Sequence, residues 1–210
     1  LWVVLMILST AAIEQGWADA DYVKWVAEPG ISYKINYINV SLLTLGVVFF
    51  FILLFRYLKL NSRGLALAGL VFVPVYGVLN LFCYSVQITL VPAMAQSALA
   101  QSALAQSAME PVDSIQRVAQ WIQANPASIL AKLNGLAYAL LGFPSILYGY
   151  LLILDSRRFS GLTLLLSGFL ILMGVAGMML ESQVLSMGTL AGGFLFLISL
   201  GAFWFEFREA

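Results

Sequence analysis

The chain has 210 residues, of which 62% are hydrophobic and only 10% are charged, whereas about a quarter of the residues in an ordinary soluble domain are charged. Ten basic residues balance ten acidic ones, so no net positive charge is present to attract nucleic acid. With no histidine and one cysteine, Cys83, the sequence predicts no intrachain disulfide, no metal site and no cofactor. We expect one domain, residues 1–210, that is an all-α polytopic transmembrane bundle of about six spans.

The first element is a short apolar stretch, residues 1–12, which is too short to cross a bilayer core about 30 Å thick. We interpret it as the outer end of an incomplete first span. The alternative is the end of a signal peptide, because residues 10–12 resemble a cleavage site. In the loop that follows, residues 20–27 are predicted to form a short helix with Asp19 as its N-cap and Pro29 at its end.

Two spans are predicted next, at about residues 35–55 and at Leu65–Leu90. The latter has 26 residues without a charge and is expected to end at Pro92. Polar side chains recur along it at spacings of 4, 4 and 3, which is the spacing of one helix face; they are Tyr76, Asn80, Tyr84 and Gln87. Because hydrocarbon offers these groups no hydrogen-bond partners, the stripe must face other helices.

The longest polar segment, residues 93–127, is predicted to be an external loop. It holds three copies of one pentapeptide, at 95–99, 100–104 and 105–109, with Met in place of Leu at the last position. The alanine content favours an extension of the preceding helix. After Pro111, an amphipathic helix on the membrane surface is predicted from apolar residues that share one face; they are Val112, Ile115, Val118, Ala119 and Ile122.

The last three spans are predicted at about residues 128–154, 159–180 and 185–205, with Ser128 as an N-cap. Gly188 and Gly192 form a small-xxx-small motif, which we attribute to close packing of the final hairpin rather than to a dimer seam. Ser128 and Lys132 have the spacing of a hydrolase pair, but capping and interfacial snorkelling explain both residues. No catalytic residue is predicted.

The basic residues predict the orientation. Six of them fall on one side of the predicted spans and four on the other; the six are Arg56, Lys59, Arg63, Arg157, Arg158 and Arg208. By the positive-inside rule, both termini are expected in the cytoplasm and the 93–127 loop outside. The membrane expected is a bacterial inner membrane.

A second polar stripe lies on the fourth span and makes a pair with the first. Counted from Arg63 and Asp155, Asn80 matches the depth of Tyr138, and Pro74 matches Pro144. We expect a small ligand cavity between these spans and the start of the second span. The proposed ligand-binding residues are Tyr76, Asn80, Tyr84, Gln87, Asn134, Tyr138, Ser145, Asn36 and Asn39. The alternative is that these side chains hydrogen-bond to one another and hold the bundle together.

Two stretches, VPVYGVLN (residues 73–80) and LNGLAYALLGFPSILYG (residues 133–149), resemble small six-helix bacterial membrane proteins that are grouped as domains of unknown function. That resemblance implies a fold and no catalytic residues. The function expected is a non-catalytic membrane protein that binds a lipid-like ligand or serves as an accessory subunit of a membrane assembly. The partners expected are membrane lipids and either another membrane protein or a second copy of this chain. A small-solute permease or channel is the alternative, and a membrane-embedded enzyme is the third hypothesis.

Overall fold

The computed structural model describes residues 13, 16–59, 62–104 and 112–208. They form α1 (Asp19–Ala27), α2 (Ile31–Leu58), α3 (Arg63–Leu104), α4 (Val112–Ala119), α5 (Ile129–Leu154), α6 (Arg158–Met179) and α7 (Gln183–Arg208). Within the described residues, α2, α3, α5, α6 and α7 are long and apolar enough to cross a membrane. The prediction of an all-α membrane protein is confirmed to this extent. The predicted first span, residues 1–12, and the third pentapeptide copy, residues 105–109, lie outside the described residues.

The helices contribute to two compact units. Unit 1 consists of the described parts of Leu1–Thr44 and Leu79–Asn134, and unit 2 consists of Leu45–Val78 and the described part of Gly135–Ala210. Unit 1 therefore holds α1, α4 and the ends of α2, α3 and α5 that lie nearest to them in the chain.

In unit 2, α6 and α7 pack backbone against backbone. A Cβ added to Gly188 would lie 2.6 Å from the carbonyl oxygen of Leu170, and one added to Gly192 would lie 2.8 Å from that of Ser167. The Ser167 hydroxyl donates a hydrogen bond of 2.7 Å to the Gly192 carbonyl. The small-xxx-small motif is thus occupied by the hairpin's own packing, as the sequence predicted.

Also in unit 2, α3 and α5 run antiparallel. The Tyr148 hydroxyl donates to the Ala66 carbonyl at 2.8 Å, and Tyr76 contacts Tyr138 with ring centroids 6.5 Å apart. The predicted depth match placed Tyr138 one helical turn further along α3, at Asn80. The error arose because counting from Arg63 and Asp155 assumes that both helices begin at the same level.

Neither Pro74 nor Pro144 breaks its helix, since α3 and α5 continue through them without interruption. Proline lacks the N–H that would pair with the carbonyl one turn earlier. Beside Pro144, the Ser145 hydroxyl donates to the Leu141 carbonyl at 2.9 Å. That carbonyl is next to the Leu140 carbonyl, which the proline leaves without its usual backbone donor.

One end of unit 2 carries a polar network. The Tyr57 hydroxyl at the end of α2 donates to the Asp155 carboxylate at 2.5 Å. The Arg157 guanidinium donates to the Glu206 carbonyl at 2.5 Å, and the Ser160 hydroxyl donates to the Glu206 carboxylate. The end of α2, the turn between α5 and α6, and the end of α7 therefore meet.

Unit 1 ends in a cap made of α1, α4, residues 120–128 and the part of α3 beyond Val91. Contrary to the prediction, Pro92 does not end α3, which continues to Leu104. At 1.5 Å per residue, its 42 residues span roughly 63 Å, about twice a hydrocarbon core. The extension is stabilised because Val91, Ala95 and Ala98 are buried in the cap, while Leu104 is 82% exposed.

The cap also corrects two details of the sequence analysis. The apolar face of α4 is buried among protein side chains, with Val118 and Ala119 in the same core as Val26 of α1, so α1 and α3 cover it rather than lipid. Helix α1 begins at Asp19 instead of being capped by it. The carboxylate of Asp21 accepts a hydrogen bond from the N–H of Ala18.

Asp19 instead connects α1 to the segment that follows α4. Its carboxylate accepts a hydrogen bond of 3.1 Å from the Asn125 side chain, whose own oxygen accepts from the N–H of Ala127. Burial, and to a lesser degree the negative charge of Asp19, raises the pKa of nearby Tyr22. The hydrogen bond between Asn125 and Asp19 thus joins the segment after α4 to the start of α1.

Candidate functional site

Gln87 is the centre of the polar contacts beneath the cap. Its side chain is completely buried. Its amide nitrogen donates to the Trp121 carbonyl at 2.7 Å, and its amide oxygen accepts from the Tyr33 hydroxyl at 3.0 Å and from the N–H of Gln123 at 3.2 Å. The side chain thus joins α2, α3 and the loop after α4.

An aromatic row leads from the cap along α2 to α3. Successive ring centroids lie 6.3 Å apart for Trp17 and Trp25, 5.2 Å for Trp25 and Tyr33, 4.7 Å for Tyr33 and Tyr37, and 6.1 Å for Tyr37 and Tyr84. Such contacts stabilise a fixed arrangement beyond the area that they bury. Tyr33 and Tyr37 were not among the predicted residues, although their spacing of four, with Asn36 between them, indicates a buried helix face.

Asn80 lies on the same face of α3 as Gln87, two turns away, because seven residues correspond to nearly two turns. It too is completely buried, with 0% of its surface exposed. Among the residues that the structure describes, neither its amide nitrogen nor its amide oxygen has a hydrogen-bond partner. An unpaired buried polar atom costs about 1–3 kcal/mol. The burial of this side chain therefore lowers the free energy of unfolding.

Two further asparagines of unit 1 share this property in part. The amide oxygens of Asn36, on α2, and Asn134, on α5, are buried and have no hydrogen-bond partner within the described chain. Asn36 itself is 7% exposed. The sequence analysis had selected both residues as ligand-binding candidates.

Each of the three asparagines lies close along its helix to a residue of the buried core of unit 1. That core includes Tyr37, Tyr84 and Leu130. Asn36 is adjacent to Tyr37, Asn80 lies about one turn from Tyr84, and Asn134 lies about one turn from Leu130.

The other predicted ligand-binding residues have different surroundings. Tyr84 is in the aromatic row, and Gln87 is fully bonded as described. Tyr76 and Tyr138 contact each other in unit 2, where Ser145 bonds to its own helix, and Asn39 is half-buried. Of the predicted set, Asn36, Asn80 and Asn134 have enclosed amide atoms without a hydrogen-bond partner in the described structure; Asn36 and Asn80 are buried as whole residues, and Asn134 is half-buried.

The surroundings of the asparagines in unit 1 are uncharged. Lys34 and Lys132 are the nearest basic residues along α2 and α5, and both are exposed. Each stands two positions before an asparagine, which places it on the opposite side of its helix. Neither lysine therefore lies on the same side of its helix as the asparagine that follows it.

The structure gives no support to a hydrolase pair at the start of α5. The Ser128 hydroxyl accepts a hydrogen bond of 3.0 Å from the N–H of Ala131, so it acts as the predicted N-cap. In the described parts of the chain, no group of three His, Cys, Asp or Glu side chains is arranged to hold a metal ion. The chemistry that the asparagines offer is hydrogen bonding alone.

Comparisons with protein-family models, with curated proteins and with solved structures find no match for this chain. The resemblance noted for residues 73–80 and 133–149 therefore transfers no function, and the geometry of the buried asparagines is what a functional hypothesis must rest on.

Proposed function

We propose that this chain is an integral membrane protein that binds an amphipathic, lipid-like ligand through the amides of Asn36, Asn80 and Asn134. The observation that carries the proposal is Asn80, which is fully buried with both amide atoms unpaired in the described structure. A ligand whose polar group pairs with these amides would remove a cost that the unbound protein bears.

The contrast with ordinary interhelical hydrogen bonding supports this interpretation. Polar side chains that hold membrane helices together are paired with each other or with backbone, as Gln87 and Ser145 are. A leucine in place of Asn80 would remove no hydrogen bond of the described structure. An interaction with another molecule would explain a polar residue in such a place.

The competing proposal of a permease is less well supported. Transporters with broken helices place unwound backbone at the substrate site, whereas α3 and α5 are continuous through Pro74 and Pro144. We further propose the orientation that the basic residues favour, with the cap outside a bacterial inner membrane. A role as an accessory subunit is compatible with ligand binding and would add a partner on the lipid-facing surface.

The test is to identify the molecule that co-purifies with the protein. Wild-type protein, Asn80→Leu and Thr89→Val are purified side by side in mild detergent, and bound molecules are extracted and measured by mass spectrometry. Thr89 is an exposed residue on the same helix, so its valine variant controls for loss of a polar group on α3. We expect a stoichiometric amphipathic molecule in wild type and Thr89→Val and at least a tenfold reduction in Asn80→Leu.

If Asn80→Leu retains the same molecule in the same amount as the wild type, the asparagines are not a ligand site. Flux of a small neutral solute into proteoliposomes, abolished by Asn80→Leu, would instead favour the permease.

A further inference from the structure

Two regions of the chain share a sequence pattern that recurs in the same order. The segment DYVKWVA (residues 21–27) matches DSIQRVA (residues 113–119) in the pattern Asp-x-(Val/Ile)-x-x-Val-Ala. The segment ISYKINYI (residues 31–38) matches ILAKLNGL (residues 129–136) in the pattern Ile-x-x-Lys-(Ile/Leu)-Asn-x-(Ile/Leu). A third pair follows in the same order, and its segments are LKLNSR (residues 58–63) and LILDSR (residues 152–157).

The helix boundaries match as well. Helices α1 and α4 end at the paired alanines, Ala27 and Ala119, and α2 and α5 begin at the paired isoleucines, Ile31 and Ile129. The third pair of segments connects α2 to α3 in one region and α5 to α6 in the other. A short helix of the cap followed by two long helices therefore occurs twice, as α1–α3 and as α4–α6.

Packing explains part of what the two regions share, but it does not explain the shared lysine. The valines and alanines of the first pair of segments are buried in the core of unit 1; they are Val26, Ala27, Val118 and Ala119. Lys34 and Lys132 are exposed. Within the described parts of the chain, the structure shows no ion pair to either ammonium group. A partner outside the protein would explain a lysine at both positions.

The neighbours of each lysine indicate what surrounds it. On a helix, the residues three before and four after a side chain lie beside it on the same face. For both lysines these positions hold isoleucine or leucine, and all four side chains are 44–78% exposed; they are Ile31 and Ile38 beside Lys34, and Ile129 and Leu136 beside Lys132. Exposed apolar side chains at the start of a helix that can span a membrane face lipid, and a lysine among them extends its ammonium group toward the headgroups.

We infer that residues 21–63 and 113–157 are two copies of one unit, and that each copy binds the phosphate of an anionic phospholipid through its lysine, Lys34 or Lys132. Phosphate supplies the counter-charge that neither ammonium group has among the described residues, and it accepts a charge-assisted hydrogen bond. An anionic headgroup is favoured over phosphatidylcholine because choline would bring a second positive charge close to the lysine. The inference concerns the lipid-facing surface and does not depend on the buried asparagines.

Phosphatidylglycerol and phosphatidylcholine with the same acyl chains test the headgroup. Successive lipid-binding constants are measured by native mass spectrometry of the full chain in a neutral detergent. The variants are Lys34→Gln, Lys132→Gln, the two together, and Lys34→Arg combined with Lys132→Arg. Lys24→Gln is the matched control, because Lys24 is an exposed lysine of α1 whose neighbours three before and four after are Asp21 and Glu28 instead of apolar residues.

The wild type and Lys24→Gln are expected to bind two molecules of phosphatidylglycerol, each about fivefold more tightly than phosphatidylcholine, since a basic residue near anionic lipid contributes about that factor. Each single glutamine substitution should remove the preference at one binding step and the double substitution at both, whereas the double arginine variant should retain it. Equal binding of the two lipids by the wild type would overturn the inference, and so would a preference that persists in the double glutamine variant. Asn80→Leu should leave the preference unchanged, so the outcome is separate from the test of the proposed function.

Discussion

Gln87 and Asn80 stand on one face of α3, seven residues apart and both completely buried, yet their amides are in opposite situations. Every polar atom of the Gln87 side chain is bonded, to three residues in two other segments. Neither polar atom of the Asn80 side chain is bonded within the described structure. A polar residue inside a membrane protein can thus stabilise or destabilise the fold. Which effect it has depends on whether its polar atoms have hydrogen-bond partners. Substitutions at the two positions should therefore change the free energy of unfolding in opposite directions.

The largest effect is expected at Gln87. Gln87→Met keeps the side-chain volume but leaves the Trp121 carbonyl and the Gln123 N–H without this partner, while the Tyr33 hydroxyl keeps only its bond to the Gln87 backbone carbonyl. Since each such group costs about 1–3 kcal/mol, unfolding should become easier by about 3–5 kcal/mol. Denaturation by sodium dodecyl sulfate, followed by circular dichroism, measures this, with Thr89→Val as the unchanged control. A loss below about 1 kcal/mol would show that the amide bonds contribute little to stability.

Asn80 should respond in the opposite direction. Asn80→Leu replaces two unpaired buried atoms with an apolar side chain of similar size, so the free energy of unfolding should rise by about 1–3 kcal/mol in ligand-free protein. The same denaturation assay checks it after delipidation by extensive detergent exchange. Destabilisation of similar size would mean that Asn80 is bonded in the native protein and contributes to the fold.

A smaller loss is expected at Tyr33. Tyr33→Phe removes one hydroxyl that bonds to the Gln87 side-chain oxygen at 3.0 Å and to its carbonyl at 3.3 Å, while the ring contacts with Trp25 and Tyr37 remain. We expect a decrease of about 1 kcal/mol. The effect should be smaller when Tyr33→Phe is combined with Gln87→Met, because that variant has already lost the side-chain bond and keeps only the longer bond to the Gln87 carbonyl. Full additivity in the same denaturation assay would contradict the proposed pairing.

The smallest expected effect is the interaction energy between Gln87 and Asn80. They lie about 10 Å apart along the helix axis and share no described hydrogen bond, so the effects of Gln87→Met and Asn80→Leu should add to within about 0.5 kcal/mol. A double-mutant cycle in ligand-free protein measures the coupling. A coupling above about 1 kcal/mol would show that the two amides belong to one network rather than to two separate regions.

Local signals in the sequence were sufficient for much of the fold. Long uncharged stretches predicted the spanning helices, Ser128 predicted the start of α5, and the glycines of the last two helices predicted their close packing. The polar stripe on α3 was also correct as a buried face, since Tyr76, Asn80, Tyr84 and Gln87 are all buried. Each of these features depends on residues that are neighbours along one helix.

What the sequence could not provide depends on distant segments. Gln87 and Asn80 have the same kind of side chain on the same face, and only the positions of Tyr33, Trp121 and Gln123 decide which amide is bonded. Likewise, Pro92 was predicted to end α3 because a proline removes one backbone bond. The helix continues since burial in the cap outweighs that local cost. The relative levels of α3 and α5 were missed by one turn for a similar reason, because loop residues do not specify where packed helices meet.

The pentapeptide repeat has a consequence for how this chain can change in length. The first copy, Ala95–Leu99, supplies the buried Ala95 and Ala98 and the Gln96 side chain that donates to the Ala27 carbonyl at 2.8 Å. The second copy, Ala100–Leu104, presents the same residues mostly to solvent. Deletion of either copy by slippage during replication regenerates the same helix face against the cap, and insertion of another lengthens only the exposed end. Allelic variants that differ by multiples of five residues here should therefore fold alike.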